Sequence, residues 1–213
     1  MAHHNILKGK ISDHIAVASA ALKDGYVIVV PLENSYALVA DAFVHDAVRA
    51  LHVLREDPLG TIAQVAISSG DAIDGIARDI SADARTLMNN LWPGQLSMTL
   101  RPQPGLSWDL GDDGRLNAIS VCVPSSKFIS KVIKKFGPVA IASVNLYGSP
   151  TIKDHELIKF TETEVAAIFA SGELPSGPAS TVIDATGEKL EILRVGAIPI
   201  DQITALVSDI SHK

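Results

Sequence analysis

A single cysteine, Cys122, stands in the 213 residues. No disulfide can form within the chain, and a reducing, cytoplasmic setting is expected. Zinc sites and redox motifs built on paired cysteines are excluded with it. Aromatic residues make up only 5%, so Ala, Val, Ile and Leu must fill the core, a composition that suits parallel or mixed sheets covered by helices. Long apolar runs are missing too. The longest, such as residues 26–30, fall far short of the ~20 residues needed to span a bilayer, and no membrane partner is expected. The opening "MAHHNILKGK" has no apolar h-region, so no secretory signal is expected. Positive charge is scarce: 18 Lys and Arg stand against 24 Asp and Glu, a net charge of −6. Wholesale coating of nucleic acid needs a basic domain, which this is not. Lys127, Lys131, Lys134 and Lys135 do gather in one predicted helix; it is read as a solvated face, with a local RNA-binding stripe as the alternative.

The generic chemical signatures are absent as well. There is no G-x-G-x-x-G, no Walker A sequence and no H-E-x-x-H. His45 and His52 share a helix face without a third ligand and are read as surface or half-buried histidines. "GDDG" (111–114) is read as a turn before a Mg²⁺ site. Cys122 has no nearby His and is read as a small buried hydrophobe rather than a nucleophile.

What is present is 47% apolar and 20% charged, enough for a substantial core in one domain spanning 1–213. Helical spacing covers 13–23, with Asp13 as the expected cap, then 44–54, and 81–91 with Ser81 as cap. The lysine helix is expected to be capped by Ser125 or Ser126, and a closing helix to run over 199–208. Strands are expected at "YVIVVP", "ENSYALVA", 61–67, 96–100, "NAISVCVP", 139–142, "STVIDA" and "LEILRV". Strands and helices interleave, which predicts an α/β fold, a mixed sheet with flanking helices. In "GPVAIASVNLYGSP" (137–150) an apolar strand stops abruptly in Ser143, Asn145, Tyr147 and Gly148. Such residues make turns, and strand ends in α/β sheets are also where ligands sit.

Six stretches then occur in order: "PLENSYALVADA", "LWPGQLSMTL", "ISVCVP", "IASVNLYG", "STVID" and "ILRVGAI". Together they resemble the YrdC-like family, whose members include threonylcarbamoyl-AMP synthases, from about Gly25 to Ile198. The resemblance implies a single twisted α/β sheet around a concave cleft, and an enzyme that combines L-threonine, bicarbonate and ATP, with Mg²⁺, into threonylcarbamoyl-AMP and pyrophosphate. That product feeds a tRNA modification. The alternative it leaves open is a non-catalytic paralogue that binds a nucleotide such as AMP, or double-stranded RNA. The nucleotide positions it implies are Ser143, Asn145, Ser180, Thr181 and Arg194; those of the substrate pocket are Asn34, Tyr36, Arg55 and Cys122.

The chain also departs from the family pattern. Where the family reads P-T-x-T-V-Y-G-L, this sequence reads Pro31-Leu32-Glu33-Asn34-Ser35-Tyr36-Ala37-Leu38, and both threonine hydroxyls are gone. Around the family's K-x-R-P, "VLREDPL" keeps Arg55 and Pro58-Leu59 but no lysine. Cys122 stands where the family has an arginine that helps hold threonine, and Tyr147 replaces a small hydroxyl residue, which is expected to narrow the pocket.

Overall fold

The computed structural model describes residues 2–212. In chain order its elements are β1 (Ala2–Asn5), α1 (Ile11–Lys23), β2 (Ile28–Pro31), β3 (Tyr36–Asp41), α2 (His45–Arg55) and β4 (Gln64–Ala66). They are followed by β5 (Ala77–Arg78), α3 (Ala82–Leu91), β6 (Leu96–Pro102), β7 (Ile119–Cys122), α4 (Lys127–Phe136) and β8 (Val139–Ser143). The chain closes with β9 (Ala167–Ala170), β10 (Thr181–Asp184), β11 (Leu190–Arg194), α5 (Ile200–Thr204) and β12 (Ile210–His212).

One mixed sheet runs β1-β9-β2-β3-β8-β4-β7-β6-β10-β11-β12, with β5 paired to β6. The two-residue period of each strand divides its side chains between two cores. Val29, Leu38 and Ala40 face one core with Leu51 of α2, Leu87 of α3 and Ile203 of α5. Ile28, Val30 and Val39 face the other, with Ala18 and Leu22 of α1 and Phe128, Ile129 and Val132 of α4. Helices on both faces explain why β2 is buried at every position and reads as an unbroken apolar run. Ile141 of β8 belongs to the second core and also lines the cleft, so the face under α1 and α4 opens into the cleft at that point.

The α/β expectation holds, while several boundaries move. Helix α1 starts at Ile11, and Asp13 lies in its first turn rather than capping it. Ser81 does cap α3, accepting from Ala84 N at 3.1 Å. At α4 neither serine side chain caps. Glu33 does so from the β2–β3 turn, its Oε1 accepting from the Ser126 backbone N at 3.2 Å and from Ser125 N and Oγ. An acidic group there also complements the helix dipole. The strand expected over 61–67 shrinks to Gln64–Ala66, because Thr61 turns back onto the Pro58 carbonyl. The closing helix covers only Ile200–Thr204. Strands β1, β5, β9 and β12 lie outside the stretches the sequence marks as strands. β1 and β12 are short and polar, and each joins the sheet by parallel pairing, to β9 and β11.

Candidate active site

The cleft, about 420 Å³, is walled by the β2–β3 turn, the end of α2, strand β4, the end of β8, the 177–180 segment and Arg194. It lies at the end of β8, which closes in hydroxyl and amide just past the start of β4, whose Gln64 pairs with Ile141. Ser143 Oγ donates to Asn145 Oδ1 at 2.7 Å, and Asn145 Nδ2 donates to the carbonyls of Ser149 at 2.8 Å and Leu146 at 3.1 Å. The turn is thereby rigid before any ligand arrives.

Arg55 locks it from the other side. Its Nη1 donates to Ser143 Oγ and to the Asn145 carbonyl, both at 2.9 Å, and to the Ser143 carbonyl. Its Nε meets both oxygens of Asp57, at 3.1 and 3.0 Å. The Asp57 side chain is 1% exposed and also contacts His52 Nδ1 at 2.9 Å. The left-handed backbone at Glu56, φ 54°, reverses the chain after α2 and brings Asp57 back beside Arg55. Nη2 of Arg55 is left without a protein partner among the described residues, close to the cleft.

Arg194 faces the same cleft. Its Nε and Nη2 both donate to the Ser180 carbonyl, at 3.1 and 2.9 Å, which fixes the guanidinium while leaving Nη1 free of protein partners among the described residues. Asn34 lines the cleft too, but its Nδ2 is spent on the Pro178 carbonyl at 2.7 Å, holding the 177–180 segment in place. On the floor, Gln64 Nε2 donates to Ser97 Oγ at 2.7 Å and Ser120 Oγ at 3.0 Å. No sequence motif pointed to Gln64; only its register beside β7 and β8 shows that it faces the open part of the sheet.

Asn34, Arg55, Ser143, Ser180 and Arg194 therefore converge on one cleft. Four other candidate residues do not line it. Thr181 points to the opposite side of the sheet, 0% exposed. Its hydroxyl donates to the Ile198 carbonyl at 2.7 Å and accepts from Gly196 N and Ile198 N. That pins the approach to α5. Tyr36 is buried in the same way: its hydroxyl donates to the Gly172 carbonyl at 2.7 Å and accepts from Ser171 N at 3.0 Å. Asn145 is buried as the brace of the turn. Cys122 is 7% exposed and packed with Ala18, Leu22, Phe128 and Ile129. Burial, followed by the charge of Glu33, pushes its thiol well above the ordinary value, so it stays protonated and unreactive. Tyr147 does not narrow the pocket. Its ring is exposed and its backbone N donates to the Arg55 carbonyl at 2.8 Å.

His45 and His52 turn out to be clamps. Their Nε2 atoms contact the carbonyls of Ser107 at 2.8 Å and Leu110 at 2.9 Å, tying α2 to the 103–118 segment. Gly111 fits beneath only because it lacks a Cβ, which would stand 2.2 Å from the Thr61 carbonyl. A smaller cavity of about 310 Å³ lies behind this wall. The "GDDG" turn is closed by Asp112 Oδ2 accepting from Leu116 N at 2.7 Å. Protein groups suited to holding Mg²⁺ are not assembled: Glu33 Oε1 is committed to α4 and Asp57 to Arg55 and His52. No group of three or more His, Cys, Asp or Glu that could hold a metal occurs among the described residues. Nor is any helix among them long and apolar enough to cross a membrane.

A mixed α/β sheet whose strand ends open onto a polar cleft, with two guanidinium groups aimed at one small volume, defines a protein built to hold an anionic ligand. The sequence model of the Sua5, YciO and YrdC family, described as telomere recombination, matches residues 20–196, and the chain belongs to that family. A protein of Mycobacterium leprae provisionally named threonylcarbamoyl-AMP synthase is 31% identical over 198 residues, covering 91% of this chain and 87% of its own. The crystal structure of P. abyssi Sua5 complexed with L-threonine superposes with a TM-score of 0.88 at 24% identity. That match covers all of this chain and 62% of the other. E. coli YciO superposes at 0.81 and 24% identity, covering 95% and 97%. At that identity the two structures speak for the fold.

Proposed function

We propose that the chain is a threonylcarbamoyl-AMP synthase that joins L-threonine, bicarbonate and ATP and releases pyrophosphate. The observation that carries this reading is the convergence of Arg55 on the Ser143–Asn145 turn with Arg194 across the same cleft. The relatives' names and the threonine-bound structural neighbour support the choice of substrates. Its tRNA-directed role and cytoplasmic location are part of the same proposal.

The chemistry asks little of the protein beyond placement and charge. The amine of threonine bonds to the carbon of bicarbonate and a water leaves, giving a carbamate. A carbamate oxygen then attacks the α-phosphorus of ATP, and pyrophosphate departs. Two anions must meet, so catalysis rests on positioning and charge neutralisation. Nη2 of Arg55 and Nη1 of Arg194 are the free guanidinium donors of the cleft, held by protein bonds made in advance, which is what electrostatic preorganisation requires. With the family lysine missing, the charge of the segment rests on Arg55, a planar fork where lysine would bring a point charge. The Ser143 hydroxyl and the 177–180 backbone are placed to orient the nucleotide. Mg²⁺ does not fit a protein-held site in this cleft, and no step is routed through it.

The test is pyrophosphate release by the purified protein. It is expected only when ATP, bicarbonate and L-threonine are all present, and release that ignores L-threonine would overturn the reading.

A further inference from the structure

Strands β4, β7 and β6 are adjacent in the sheet, and each turns a polar side chain to the cleft face: Gln64, Ser120 and Ser97. Gln64 lies beside Ser120 through the Val65–Val121 register, and Ser97 pairs with Cys122 on the next strand. Ser97 is 2% exposed. A hydroxyl buried in a sheet core costs free energy unless it is bonded, and here both serines bond to one amide, Gln64 Nε2. That amide has two N–H groups, and both are spent. Among the described residues its Oε1 accepts from no protein group, and it is not among the buried unpartnered atoms. It is the free acceptor on the cleft floor.

Resting on the proposed reaction, we infer that Gln64 is a specificity-determining residue that reads the N–H of the amino-acid substrate. When the amine nitrogen bonds to the bicarbonate carbon and water leaves, a primary amine keeps one hydrogen on nitrogen. A secondary amine keeps none. The group formed carries a negative charge on its oxygens, so an acceptor beside its N–H has to be neutral. Glu33 and Asp57, the carboxylates of the cleft, carry charge and are occupied by α4, Arg55 and His52. Gln64 supplies a neutral acceptor, and Ser97 and Ser120 fix which way its amide points. A primary amino acid is thus selected over its N-methyl counterpart by a hydrogen bond only the former can donate.

The experiment compares kcat/KM for L-threonine and N-methyl-L-threonine in the wild type and in Gln64→Met and Gln64→Glu. Melting curves and AMP affinity are measured on all three proteins. The expected result is a wild-type preference for L-threonine that shrinks about tenfold in Gln64→Met, the size of one lost hydrogen bond that leaves a group unpaired. AMP affinity should stay unchanged. Gln64→Glu should lose more threonine activity than Gln64→Met, because it sets a charge against the carbamate. Should Gln64→Met not fold, the Ser97→Ala/Ser120→Ala pair, which frees the amide to turn, is expected to lower the same preference. A preference ratio that stays constant across the folded variants would overturn the assignment while leaving the synthase reading intact. A wild type that binds AMP but turns over neither amino acid would overturn both.

Discussion

Arg55 donates to Ser143 Oγ at 2.9 Å although the two residues lie 88 positions apart. The contact joins the end of α2 to the end of β8, and Asp57 holds the guanidinium from behind. Replacing Asp57 by Asn should free the guanidinium. A hydrogen bond to a charged group is worth about 1.5–3 kcal/mol, so nucleotide affinity should fall by roughly 10- to 150-fold. In a double-mutant cycle, Arg55→Ala and Asp57→Asn should couple strongly. Strictly additive losses in AMP titrations would show that Asp57 does not act through Arg55.

Thr181 separates a structural role from a ligand-binding one. Thr181→Val strips a partner from Gly196 N and Ile198 N and should cost on the order of 2–3 kcal/mol of stability. Denaturant melts should show that loss, while AMP affinity of the folded variant stays within about threefold of wild type, under 1 kcal/mol. A large affinity loss without destabilisation would return Thr181 to the nucleotide site.

Cys122 sits against α1 and α4, so an arginine placed there would bury a charge in an apolar cluster. Cys122→Arg should destabilise by about 3–5 kcal/mol rather than improve threonine binding. The native thiol, pushed up by burial, should resist alkylation at pH 8 until the protein unfolds. Prompt modification of the folded protein would contradict this placement.

His4 stacks on Phe169 with ring centroids 5.1 Å apart. Burial, then the charges of His14 and His3, hold its pKa below the ordinary 6.5. The unfolded chain therefore binds the proton first. Stability should be full above about pH 6.5 and decline as the pH falls below it. A His4→Phe variant should show a shallower fall in melting temperature between pH 7.5 and 5.5. Equal slopes in the two proteins would contradict it.

The α/β class and most strands were legible because apolar runs such as Ile28–Val30 and Val139–Ile141 are buried on both faces, and Ser81 caps by a local rule. The edges were not. β1 and β12 are polar and carry no apolar strand pattern; they join the sheet by parallel pairing, β1 with a strand far along the chain and β12 with β11. The site was half legible. Ser143, Ser180 and Arg194 lie at strand ends, where short motifs show. Thr181 and Tyr36 are buried away from the cleft; the alternation of a strand gives two faces without saying which one is open. Cys122 does share a face with Gln64, yet α4 covers it. The Glu33 cap and the Gln64 floor are contacts between distant segments, which no local pattern announces; the Asp57 brace is local but depends on the left-handed turn at Glu56.

The central claim is best tested by incubating the protein with ATP, Mg²⁺, ¹³C-bicarbonate and L-threonine and reading the products by mass spectrometry. The account predicts ¹³C-labelled threonylcarbamoyl-AMP and pyrophosphate from wild type, and a large loss of both in Arg55→Ala. Absence of labelled product from a wild-type protein that still binds ATP would contradict it and leave a nucleotide-binding module in its place.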